Sequence, residues 1–110
     1  MTPDEFVVVL VTAGSAEEAA KIGRALVDER LAACANVLGP IRSIYRWQGA
    51  VEDATEHLLL LKARAADLAA LEAEVRARHS YDVPEVLALP IRGGSAAYLA
   101  WLAESTDRGS

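Results

Sequence analysis

Residues 6–12 read FVVVLVT, an apolar, mostly β-branched run without alternation. That pattern predicts a strand covered on both faces or lying at the centre of a sheet. Ala13-Gly14-Ser15 interrupts it, and Ser15 followed by Glu18 has the spacing of a capping box. The helix predicted from there to about Leu31 sets Ala19, Ile22, Leu26 and Val27 on one side. Glu17, Lys21, Arg24 and Asp28 fall largely on the other. Residues 34–64 then read as two long strands joined by a tight turn. Gly39-Pro40 interrupts the first of these strands and predicts a bulge, because proline removes a ladder donor. Beyond the break, Ser43, Tyr45 and Trp47 share one face, and Gln48-Gly49 suits a turn that needs positive φ. The return strand carries Glu52, Asp53 and Glu56 first and Leu58-Leu59-Leu60-Leu61 afterwards.

A second helix is predicted over residues 65–78, with Leu68, Leu71 and Val75 as its buried stripe. Pro84 biases Val83 to an extended conformation and ends that segment. Residues 85–91 (EVLALPI) read as a fourth strand, and Gly93-Gly94 as a turn. Ser95 is a suitable N-cap for a last helix over residues 96–104, rich in Tyr98, Leu99, Trp101 and Leu102. The polar tail, residues 106–110, is expected to fray. The order β-α-β-β-α-β-α predicts an α+β fold, a ferredoxin-like βαββαβ sandwich with an extra C-terminal helix. It fits a single domain over residues 1–110 with an ordered core at about 6–104.

The long hairpin is out of proportion to such a domain. An arm of ~14 residues reaches about 45 Å. A globule of this length is only roughly 34 Å across. An apolar, aromatic hairpin of that reach is an open edge, and packing on further copies of the chain resolves it.

Composition narrows the partners. The formal net charge of -5 disfavours nucleic acid and anionic membranes, both of which call for a basic face. No apolar run approaches the ~20 residues that span a bilayer. The acidic start, residues 1–5, lacks the form of a secretory signal, and the single cysteine makes the cytosol the default compartment.

Several ordered blocks now matter together: VVLVTA (8–13), LVDERLAACANV (26–37), SIYRWQGAVE (43–52), LLLLKA (58–63), HSYDVPEVLALPI (79–91) and YLAWL (98–102). Over about residues 6–104 the chain resembles the CutA family of divalent-cation tolerance proteins. The resemblance implies a homotrimer whose hairpins pair with neighbouring subunits, high stability, a link to metal-ion tolerance, and copper binding in some members. The copper ligands implied there are a cysteine in the first strand and two histidines ending the second helix. Those positions hold Val11, Arg78 and His79 here, so any metal site falls to His79, with weak binding of copper or another divalent cation.

Read as residues, the candidates are few. Cys34 reads first as a packing residue. His57 and His79 lack the spacing of a preformed metal site, and His79 also suits a helix C-terminus. Glu52, Asp53 and Glu56 read as a solvated cluster past the turn, or as a weak cation site. Tyr45, Trp47, Lys62, Tyr81 and Glu85 form the set that could line a ligand cleft, with interface packing as the alternative role of the two hairpin aromatics. No Ser-His-Asp order, Walker loop or dinucleotide fingerprint occurs, so no enzymatic activity is expected. A second function class stays open: a trimeric small-molecule sensor like the nitrogen-regulatory PII proteins, by analogy of fold alone.

Overall fold

The computed structural model describes residues 5–109; the expectations for residues 1–4 and 110 lie outside the described residues. Four strands, β1 (Phe6–Ala13), β2 (Cys34–Trp47), β3 (Ala50–Arg64) and β4 (Leu87–Pro90), form one antiparallel sheet in the order β2-β3-β1-β4. Three helices, α1 (Ala16–Asp28), α2 (Leu68–Arg78) and α3 (Ala96–Ser105), complete the α+β architecture. The element order matches the expected one. Three bounds differ: α1 ends at Asp28 rather than about Leu31, with Arg30 at a positive φ of 61° just beyond it; a 3₁₀ turn over Ala65–Asp67 precedes α2; and β4 is shorter than its apolar run because it pairs only with residues 7–10 of β1.

The core follows the two-residue period of the sheet. Val7, Val9, Val11 and Ala13 of β1 and Leu59, Leu61 and Ala63 of β3 point to one face. There they meet Ala19, Ile22 and Leu26 of α1 and Leu71 and Val75 of α2, all essentially without solvent contact. Gly23 lets α1 approach closely, since a Cβ there would lie 2.7 Å from that of Ala35. The opposite face is covered at one end only. There Phe6 and Ala33 pack on Leu102 of α3, and Arg64 holds the helix end by donating to the Ala103 carbonyl (2.6 Å) and Thr106 Oγ1 (2.9 Å). Ser15 caps α1 and Ser95 caps α3, each side-chain oxygen accepting from the backbone N–H three residues on.

The hairpin of β2 and β3 stretches the molecule to 43 × 24 × 22 Å. Its turn is closed by Gln48 (φ 51°) and Gly49 (φ 84°), the two positive values a right-twisted hairpin turn requires. Leu38 pairs with Leu58 but Ile41 with Glu56, so β2 carries one extra residue at Gly39-Pro40. Directly paired residues share a face. The bulge therefore brings Ile41, Ser43, Tyr45 and Trp47 onto the face already occupied by Cys34, Asn36 and Leu38, away from α1 and α2. Gly39 is bound to its place by a φ of 150° and by the His57 ring, which a Cβ would meet at 2.6 Å.

Candidate functional site

Beyond the end of β1 the hairpin stands clear of the core, and the loop after α2 runs alongside it. Between them lies a cleft of about 630 Å³, a size suited to a small organic molecule. Tyr45, Trp47 and Glu56 line it from the hairpin, Tyr81, Asp82 and Glu85 from the loop. Glu56 is 6% exposed although it is a carboxylate, and its Oε2 accepts from the Tyr81 hydroxyl at 2.8 Å. Burial and then Glu56, as acceptor and as charge, push the Tyr81 phenol up to about 12. Burial, and secondarily the charge of Glu56, raises the Glu85 carboxyl.

The loop is held by a small polar knot at the start of α1. Glu18 Oε2 accepts from the Ser80 N–H (2.7 Å) and Oε1 from the Gly14 N–H (3.4 Å). The expected capping box is thus half made: Ser15 caps, while the Glu18 carboxylate reaches one residue further back and across to the loop. Burial works to raise the Glu18 carboxyl, but the donors of Ser80, the nearby His79 and Gly14 outweigh it and hold the group below the ordinary glutamate value. His79 lies inside the same knot with its side chain fully buried. Its Nδ1 accepts from the Tyr81 N–H (3.0 Å), so the proton sits on Nε2 and is donated to the Thr12 carbonyl (2.7 Å). Both ring nitrogens are occupied in positioning the loop.

Four of the five residues expected to share a cleft, Tyr45, Trp47, Tyr81 and Glu85, line this one. Lys62 lies elsewhere on the same face of the sheet, donating to Asn36 Oδ1, next to Cys34. The Cys34 thiol is 3.8 Å from the Tyr98 hydroxyl and 3.9 Å from Asn36 Oδ1. The acidic run past the turn does not act as one cluster. Asp53 faces the other side of the hairpin and accepts two hydrogen bonds from Arg42 (2.9 and 2.6 Å), whereas Glu56 turns into the cleft. Among the described residues no group of three or more His, Cys, Asp and Glu side chains is placed to hold a metal ion. Two further site residues stand outside the expected cleft set, Glu56 being expected in the acidic cluster past the turn and Glu18 as a capping residue. Glu56 is placed by register, at positions 56, 58 and 60 of one alternating face, and Glu18 by a tertiary contact with no local signal.

Comparison with known proteins fits this geometry. A family model described as CutA1 divalent ion tolerance protein matches residues 7–105. The divalent-cation tolerance protein CutA of Thermus thermophilus is 50% identical over 99 residues, 90% of this chain and 96% of its own length. The chloroplastic protein CutA of Arabidopsis thaliana is 48% identical over 91% of this chain. The chain spans about half the length of the two plant relatives it matches, 55% for that protein and 56% for chloroplastic CutA 1 of rice. The solved CutA1 structure from Oryza sativa superposes with a TM-score of 0.91 at 44% identity, covering 98% of this chain and 97% of that one. The Thermus structure superposes with a TM-score of 0.90 at 49% identity, covering 93% and 99%. With strand order, hairpin and sequence blocks all in agreement, the chain belongs to the CutA1 family of divalent ion tolerance proteins.

Proposed function

We propose that this chain acts as a non-enzymatic homotrimer in the cellular response to divalent metal ions, with its hairpin packed on neighbouring copies and only weak, peripheral cation binding. One observation carries the assembly reading: the apolar surface left uncovered. Ile44 and Val51 on the hairpin are 63% exposed, and Leu87, Leu89, Tyr98 and Trp101 extend the exposed apolar surface over β4 and α3. A monomer in water rarely leaves so many large apolar side chains open, and a stable interface needs such a surface. The family resemblance supplies the number three. The weak-cation reading rests on donor chemistry: His79 has no free nitrogen, Asp53 is neutralised by Arg42, and Cys34 has no histidine beside it among its hydrogen-bond partners. A lone thiol suits a reducing compartment, so the reading includes the cytoplasm. No helix among the described residues is long and apolar enough to cross a membrane.

Sedimentation equilibrium tests the assembly. The expected species has three times the 11.7 kDa chain mass, and a clean monomer at micromolar concentration overturns the reading. Calorimetric titration with copper, zinc and nickel tests the metal part. No tight stoichiometric site is expected; a submicromolar site lost in His79→Ala refutes it.

A further inference from the structure

The residue that lies outside the cleft changes what the cleft can hold. With Lys62 in it, the site would offer a cation to an anionic ligand. In its place the lining contains three acidic side chains, Glu56, Asp82 and Glu85, and no basic one. Among the described residues, none of these three carboxylates has a lysine, arginine or histidine within ion-pair distance. Glu56 is the telling case. A carboxylate so nearly buried, held only by a neutral hydroxyl, has lost most of its water without gaining a counter-charge. Such a group favours any occupant that brings positive charge. A bare divalent ion is a poor match, because it seeks several oxygen or nitrogen ligands at close range and no such group converges here. The other walls are the rings of Tyr45, Trp47 and Tyr81, whose faces attract diffuse organic cations.

We propose that the cleft between the hairpin and the loop after α2 is a binding site for a small organic ammonium ion, held by Glu56 and Glu85 against the faces of Tyr45, Trp47 and Tyr81. Asp82, exposed at the rim, adds attraction at longer range. The same charge pattern argues against nucleotides and other phosphate ligands in this cleft. The proposal rests on the trimer assembly leaving the cleft open, since Ile44 and the two hairpin aromatics line it as well; the mass in solution tests the assembly separately.

The test uses the full chain carrying Trp101→Phe, which leaves Trp47 as its one indole. Choline is titrated while Trp47 emission is followed, alongside 3,3-dimethylbutan-1-ol, the uncharged molecule of the same shape, and ATP. Choline is expected to saturate at millimolar concentration or below, with the alcohol weaker by about tenfold or more, the size of a cation–π and carboxylate contribution. Glu85→Gln, checked for folding by circular dichroism, is expected to weaken choline several-fold. Equal affinity for the alcohol reduces the cleft to an apolar pocket and overturns the proposal. Absence of saturation, tighter binding of ATP, or full affinity in folded Glu85→Gln also overturns it.

Discussion

Glu18→Ala removes the tie between the start of α1 and the loop that forms one wall of the cleft. Two hydrogen bonds go at once: the one accepted from Ser80 N–H and the longer one from Gly14 N–H. A hydrogen bond to a charged group contributes about 1.5–3 kcal/mol. The Glu18 side chain keeps 19% of its exposure and the Gly14 contact is long, so the total is set at about 2 kcal/mol rather than the sum. Urea denaturation at fixed protein concentration reads the loss as a lower midpoint with unchanged slope. The pH dependence carries the sharper test. The folded carboxyl lies below the ordinary glutamate value of 4.5, so its stabilisation is present above that value and is lost as pH falls through the folded one. The gap between wild type and variant is therefore expected in full at neutral pH and should shrink as pH falls below 4.5. Glu18→Gln, which keeps a neutral acceptor, should lose about half as much. A gap below about 0.5 kcal/mol at neutral pH, within the range of ordinary surface changes, refutes the assigned tie. So does a gap undiminished in acid.

Two further expectations bear on the hairpin and the cleft. Gly39→Ala combines a φ that side chains rarely adopt with a collision against His57, and should cost about 1–3 kcal/mol in denaturant midpoint, with the hairpin amides losing hydrogen-exchange protection first. Tyr81 should titrate at about 12, above the ordinary 10.0, and Glu56→Gln should bring it down, followed by ring NMR signals. The sign follows from the raised value: the unfolded phenol ionises first, so Tyr81 stabilises the fold below pH 10.0 and loses that contribution as pH climbs through about 12.

What could be read from the chain beforehand was what depends on neighbours in sequence. The strand of residues 6–12, the Ser15 and Ser95 caps, the Gln48-Gly49 turn and the bulge each have a local cause, and each formed as expected. The cleft set was legible where alternation along the hairpin and the position of the loop converge, hence Tyr45, Trp47, Tyr81 and Glu85. Lys62 shares a strand with Glu56, and only the extension of the hairpin past the end of β1 separates them. Asp53 and Glu56 look alike as letters; their sides of the hairpin are fixed by register. Glu18 had a sufficient local role as a capping residue, which hid its contact with Ser80, 62 positions away.

The surplus residue at Gly39-Pro40 sets two residues of β2 against one of β3. Deleting one of the two would leave a single residue opposite His57 and keep Leu38 against Leu58 and Ile41 against Glu56, so Tyr45 and Trp47 would hold the same side. The cleft would keep its two aromatic walls, and Arg46 would stay on the opposite side of the hairpin. The bulge is therefore a point at which the strand can lose one residue without turning its walls over. A comparison that scores positions one at a time counts such a loss as a gap, while the cleft keeps the same walls.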